Sequence, residues 1–177
     1  MRLFLLGIKH SGKSTFSRLL ASKYGVPSVD SDDLVLERIK PSRIREYYAE
    51  YGKSKFQEIE YEAVRDYLEK HASTSFVFSL GGGVSDNAPL LKLLKENGTL
   101  IYLYRSESDI LSVILKHGIP GFLDPRNIEE SFHKIFKERD AIYKSVADKV
   151  ITLGPYRDRM ETLEYIDENL TEYVDAR

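Results

Sequence analysis

The chain has no cysteine, which excludes a disulfide framework and thiolate metal sites and fits a reducing compartment. Nor does either charge dominate. Its 26 basic residues stand against 28 acidic ones, for a formal charge of −2, so no overall field draws the protein to nucleic acid or to an anionic membrane. Any positive potential has to be local. A long apolar run is also missing: Met1 and Arg2 are followed only by Leu3 to Leu6 before the first glycine. That is too short for a signal peptide or a membrane span, and the expected location is the cytoplasm. There are no internal repeats, no low-complexity run and no long linker. What remains, at 177 residues with 42% apolar and 31% charged, is one globular domain large enough to bury a real core, expected to act as a monomer.

Against these absences one stretch stands out. Gly7 to Thr15 reads Gly-Ile-Lys-His-Ser-Gly-Lys-Ser-Thr and fits the phosphate-loop pattern G-x-x-x-x-G-K-[ST] at every fixed position. The apolar Leu3-Phe4-Leu5-Leu6 before it suits a buried strand, and Phe16 to Ala21 after it carries apolar residues at helical spacing. Gly7 and Gly12 permit backbone angles that turn successive N–H groups inward as an anion nest. The helix beginning near Lys13 points its positive end at the same place. The pattern assigns Lys13 to the β- and γ-phosphates and the Ser14 hydroxyl to Mg²⁺, with Lys9, His10, Ser11 and Thr15 completing the nucleotide loop.

Downstream, strands and helices alternate. Strands are expected near Leu3, Pro27, Phe76, Leu100 and Val150. Helices are expected from Leu34 to Ile39 with Ser31 or Asp32 as cap, from Ser42 to Tyr51 up to Gly52, and from Lys53 to about Lys70. Further helices follow at Asn87 to Glu96, Ser106 to Lys116 and Asn127 to Ala147, and a last one after Pro155. The Gly/Pro-rich run from Gly118 to Pro125 reads as a mobile surface loop. The alternation implies a parallel sheet with helices on both faces. In such a sheet Asp30 and Asp32 lie at a strand's carboxyl end, where open α/β sheets bind ligands. No acidic residue follows the third strand to hold Mg²⁺, which favours this acidic pair, although one of the two has the bland option of capping the next helix. Gly81-Gly82-Gly83 after the third strand allows close approach of backbone to a ligand. His10, His71, His117 and His133 have no metal-ligand spacing.

With the phosphate loop, Asp30-Ser31-Asp32 and Gly81 to Gly83 in this order, the chain resembles the shikimate kinases. Gly52, Phe56 and Glu60 are similar to that family's G-E-x-x-F-R-x-x-E segment, and Arg139, Tyr143, Ala147 and Asp148 to its R-x-x-x-Y-x-x-x-A-D helix. The resemblance implies a three-layer P-loop kinase fold with a five-stranded parallel sheet in the order 2-3-1-4-5. Residues 31–72 would be a helical acceptor-binding region and residues 116–127 a lid. It implies transfer of the ATP γ-phosphoryl group to the 3-hydroxyl of shikimate. The implied roles are Ser14 and Asp30 for Mg²⁺, Asp32 for the acceptor hydroxyls and their proton, Gly81 to Gly83 for the acceptor ring and Arg139 for its carboxylate.

Three departures qualify it. Gln57 replaces the arginine of F-R-x-x-E, at a position expected to line the acceptor site. Ile119 to Leu123 replaces the lid's R-P-L-L, and His10 stands where the family's loop has an extra glycine. Lys116 and Arg126 flank the loop and are the candidates to reach the nucleotide in place of the lid arginine, with Arg126 preferred as a catalytic group. Pro155, after the last strand, joins the expected nucleotide-binding set. Lys134, Lys137 and Lys144 around Arg139 read as a solvated helix face. Three functions remain open on these residues: a shikimate kinase with an altered carboxylate site, a kinase for another small hydroxylated acid or polyol, and a nucleotide-binding module without transfer activity.

Overall fold

The computed structural model describes residues 1–121, 123–156 and 158–174. Its strands are β1 (Arg2–Leu6), β2 (Ser28–Asp30), β3 (Phe76–Ser79), β4 (Thr99–Tyr104) and β5 (Lys149–Thr152). They pair in parallel, as the alternation of strands and helices predicts, in the order β2-β3-β1-β4-β5 that the family resemblance implies. Around them lie α1 (Lys13–Tyr24), α2 (Ser31–Ile39), α3 (Ile44–Lys70), α4 (Ala88–Asn97) and α5 (Glu107–His117), then α6 (Ile128–Val146), α7 (Arg159–Glu168) and the short α8 (Thr171–Val174).

The apolar run of β1 makes it the central strand. It pairs on one side with β3, Leu3 opposite Val77, and on the other with β4, Leu5 opposite Ile101. A strand covered on both faces has no side left for polar residues, and Leu3 to Leu6 are all fully buried. Their alternation divides the core. Leu3 and Leu5 pack with Phe16, Leu20, Leu163 and Ile166 of α1 and α7. Phe4 and Leu6 face the opposite layer, with Val64, Leu90, Leu94, Ile110 and Phe132 of α3 to α6. Each such fully buried side chain contributes about 1.5–3 kcal/mol. A smaller cluster of Val35, Ile39 and Ala63 joins α2 to α3.

Chain order reverses at β1, where the connections lead first to one side of the sheet and later to the other. Helices following the strands therefore diverge there and leave a crevice at the carboxyl ends. Two local expectations shift. β2 ends at Asp30, and it is Asp30, not Ser31 or Asp32, that caps α2, its side chain accepting from the Asp32 N–H. The physical reason is that Asp30 keeps an extended backbone (φ −124, ψ 128), which a cap residue needs and Ser31 and Asp32 have lost by entering the helix. The two helices expected on either side of Gly52 form α3, whose course breaks at Gly52 with non-helical φ 77 and ψ 179.

Candidate active site

A cavity of about 1190 Å³ opens at the carboxyl ends of the strands. Its floor is the loop between β1 and α1. The helix starts after Gly12, whose φ of 103 is left-handed, and no side chain caps the first turn. A Cβ at Gly12 would lie 2.8 Å from the Phe16 ring, so both the angle and the space require glycine. The first-turn N–H groups of α1 therefore face the cavity without a side-chain acceptor, the arrangement that receives phosphate.

Lys13 lies across this loop. Its Nζ donates to the Gly7 carbonyl at 2.7 Å and the Ile8 carbonyl at 3.1 Å. Burial pushes the ammonium down from 10.5 to about 8, against the upward pull of Asp32 and Asp30. Beside it the Ser14 hydroxyl donates to Asp30 Oδ2 at 2.9 Å and lies 3.1 Å from the Ser79 hydroxyl. Asp30 Oδ1 accepts the Asp32 N–H at 3.0 Å, so one carboxylate caps α2 and holds Ser14 at once. Asp32 opens to the cavity but is walled by protein behind; loss of hydration and the neighbouring Asp30 charge raise its pKa.

The glycine run closes the second wall. Gly81 N–H donates to the Ser31 hydroxyl at 2.8 Å, and a Cβ at Gly81 would sit 3.0 Å from Asp32 Oδ1 and 3.4 Å from Glu60 Oε1. Helix α6 meets the same run. Residues four apart share a helix face, so Tyr143 donates its hydroxyl to Gly82 O at 2.9 Å while the Arg139 guanidinium lies beside Gly83. Glu60 is buried and accepts from Asn87 Nδ2 at 3.0 Å. Burial, with the charges of Asp32 and Asp86 adding to it, pushes its carboxyl up to about 7 despite the Asn87 bond.

A third wall carries residues to which the sequence assigns no role. Arg105, just past β4, is buried; its Nε donates to Ser11 O at 3.2 Å and its NH1 to Gly154 O. Its guanidinium lies over the Tyr156 ring, and Tyr156 donates to His10 O at 2.8 Å. Arg45, Arg159 and Thr162 also line the cavity.

The structure thus brings Lys9, His10, Gly12, Lys13, Ser14, Thr15, Asp30, Asp32, Gly81 to Gly83 and Arg139 to one cavity. Gly7 and Ser11 lie buried beneath the loop. Gln57, Lys116, Arg126 and Pro155 are not among the lining residues. Gln57 donates its Nε2 to Asp86 O at 2.6 Å, and Arg126 is exposed, its N–H bonded to Asp124. Among the described lining residues six cations, Lys9, Lys13, Arg45, Arg105, Arg139 and Arg159, face two acids, Asp30 and Asp32. In a chain of net charge −2, that concentration selects anionic ligands. A second depression, on the outer side of α6 beside Glu130, His133, Lys134 and Lys137, is an ordinary charged helix face.

Among the described residues no cluster of three His, Cys, Asp or Glu side chains can hold a metal by itself. Ser14, Asp30 and Ser79 present only oxygen donors. Such a set fits a hard cation that arrives with phosphates and keeps its waters.

An uncapped helix start under a glycine loop, at the reversal point of a 2-3-1-4-5 parallel sheet and opposite a polar acceptor pocket, defines a P-loop kinase of small molecules. A model of the shikimate kinase family matches residues 9–169. The chain belongs to the shikimate kinase family. It is 31% identical over 152 residues to a shikimate kinase of Paracidovorax citrulli (strain AAC00-1), covering 86% of this chain and 82% of the relative. The solved shikimate kinase from Acinetobacter baumannii in complex with shikimate has a TM-score of 0.83 at 25% identity, with 97% of this chain and 93% of that chain covered. The crystal structure of shikimate kinase from Aquifex aeolicus vf5 has a TM-score of 0.74 at 26% identity, covering both chains in full.

Proposed function

We propose that this protein transfers the γ-phosphoryl group of MgATP to the 3-hydroxyl of shikimate. The observation that carries the reading is the shared cavity: the phosphate-loop Lys13 and Ser14 face Asp32 and Arg139 across one space. Family membership and the likeness to a shikimate-bound structure support the choice of acceptor.

Phosphoryl transfer asks the protein mainly for positioning and charge neutralisation. The N–H groups of the loop and of the first turn of α1 hold the phosphates. Lys13, released from the Gly7 and Ile8 carbonyls, takes the β- and γ-phosphate oxygens, and that anionic partner offsets the burial of its ammonium. Ser14 and Asp30 would hold Mg²⁺, which supplies charge neutralisation between the phosphates. Asp32 orients the acceptor hydroxyl, and its raised pKa suits it to receive the proton as the hydroxyl attacks. Arg139 pairs the acceptor carboxylate. Pro120 and Gly121 line the cavity from the loop after α5, so closure of residues 116–127 would exclude water from the transfer.

One observation favours a second reading, a kinase for another small hydroxylated acid: Gln57 is hydrogen-bonded to Asp86 rather than lining the cavity. The test is ADP release with Mg²⁺ and ATP, with and without shikimate, against a panel of hydroxylated acids. Shikimate-dependent release that is strongest on shikimate supports the first reading. Release on another acid alone replaces it with the second, and acceptor-independent nucleotide binding without release leaves neither.

A further inference from the structure

The acceptor half of the cavity has a cation whose position local structure does not explain. Arg45 is the second residue of α3 and is exposed. A positive charge there opposes the helix dipole, whose positive end is the amino terminus. Among the described residues Arg45 makes no hydrogen bond and no ion pair that would offset this; the nearby Glu46 carboxylate instead accepts the Arg43 N–H at 3.1 Å. Its guanidinium nonetheless has a defined place. It lines the cavity beside Ile44, Tyr48, Ala49 and Phe56, and lies 3.6 to 3.8 Å from the Cβ position of Gly121. Its charge adds to the positive potential of a cavity whose lining cations outnumber its acids, which draws an anion to this wall.

Two ligand anions are available, the transferring phosphate and the acceptor carboxylate. The phosphate end already has Lys13 and the uncapped start of α1. Arg45 projects from α3, the wall shared with Phe56 and bordering Glu60, on the acceptor side. At Gln57, on the same helix, the side chain is held by Asp86, whose own carboxylate pairs with Lys53 at 2.7 Å.

We propose that Arg45 is a specificity-determining residue that binds the carboxylate of the acceptor, supplying with Arg139 the positive charge that Gln57 does not. The assignment rests on the proposed function. A planar guanidinium meets a carboxylate with two parallel charged hydrogen bonds, so its removal acts on acceptor binding before it acts on transfer.

The test is steady-state kinetics of wild type, Arg45→Ala and Arg45→Lys on shikimate and on its methyl ester, which lacks the anion, with calorimetric titration of shikimate. The assignment expects KM for shikimate to rise about tenfold or more in Arg45→Ala, less in Arg45→Lys, with kcat and KM for ATP within about twofold and no fall in melting temperature. On the methyl ester, wild type and Arg45→Ala should have the same KM. An unchanged KM for shikimate overturns the assignment, as does a loss in kcat alone, which would put Arg45 on the phosphate. An equal loss on the ester also overturns it, by showing a role in shape. Wild-type protein that neither binds nor phosphorylates shikimate overturns the proposed function, and this assignment with it.

Discussion

The guanidinium carbon of Arg105 lies 4.1 Å from the ring centre of Tyr156, and the pair ties together loops that are distant in sequence. Arg105 bonds Ser11 O in the phosphate loop and Gly154 O after β5, while Tyr156 bonds His10 O. Arg105→Ala removes two charge-assisted bonds to backbone carbonyls and a cation-π contact, each worth on the order of 1 kcal/mol or more. The expected outcome is a lower melting temperature together with a KM for ATP raised about tenfold. Tyr156→Phe keeps the stack and loses one hydrogen bond, so it should show a much smaller change in both. Equal effects of the two substitutions would mean that the hydroxyl, not the stack, orders the loop.

Gln57 gives the second prediction. Its amide is a neutral donor engaged with Asp86 O, whereas an arginine there carries charge toward the acceptor half. If Arg45 already supplies part of the missing charge, Gln57→Arg should lower KM for shikimate by less than about tenfold in the wild-type background and recover most of the loss in Arg45→Ala. Additive behaviour of the two substitutions would show that they do not serve the same carboxylate.

The contrast between these residues and the phosphate loop shows what a sequence carries. Gly7 to Thr15 is legible because the loop closes within nine residues of chain, and the five strands are legible because period and apolarity are local. The order of the strands entered through the family resemblance, and the pairing bears it out. Arg105 and Ser11 are 94 residues apart, and no local pattern announces their contact; an arginine directly after the apolar Leu100 to Tyr104 was the only available signal. Arg45 reads in sequence as one charge in a polar helix, and only the placement of α3 against the loop after α5 makes it a wall of the cavity. Asp30 is legible as a metal candidate at a strand's carboxyl end, but its capping of α2 follows from an extended backbone that no local pattern announces. Gln57, suggested by the family pattern, and Lys116 and Arg126, suggested by their place beside the Gly/Pro-rich loop, do not line the cavity.

Lys13 couples nucleotide binding to pH. Unfolded, a lysine keeps its proton to about pH 10.5; folded and without nucleotide, Lys13 keeps it to about 8. Between these values the unfolded chain binds more protons, so this residue makes the nucleotide-free protein more stable as pH rises through that window. Nucleotide affinity runs the other way, because the phosphates need the ammonium. KM for ATP should therefore rise as pH passes 8, and Lys13→Ala should abolish that dependence while weakening nucleotide binding by about 1.5–3 kcal/mol, roughly ten- to a hundredfold. A titration of binding between pH 7 and 9.5 checks both. Near-normal transfer by Lys13→Ala would contradict its place on the phosphates.

Glu60 couples stability to pH with the opposite sign. Its carboxyl is buried against Asn87 and near Asp32, and its pKa is raised from 4.5 to about 7. Below pH 4.5 both the folded and the unfolded chain carry the proton. Between 4.5 and 7 the unfolded chain releases it while the folded protein keeps it, so the folded state binds more protons and loses stability as pH rises. Above about 7 both forms are ionised and the full penalty of the buried charge is present. Glutamine reproduces the protonated group in size and still offers an oxygen to Asn87 Nδ2, without a charge to bury. Glu60→Gln should therefore match wild type near pH 4.5 and exceed it at pH 8 by on the order of 3 kcal/mol. Urea unfolding of both proteins at the two pH values measures the difference directly. A stability gap that is the same at pH 4.5 and pH 8 would show that the substitution acts through packing and that the Glu60 carboxyl titrates at its ordinary value.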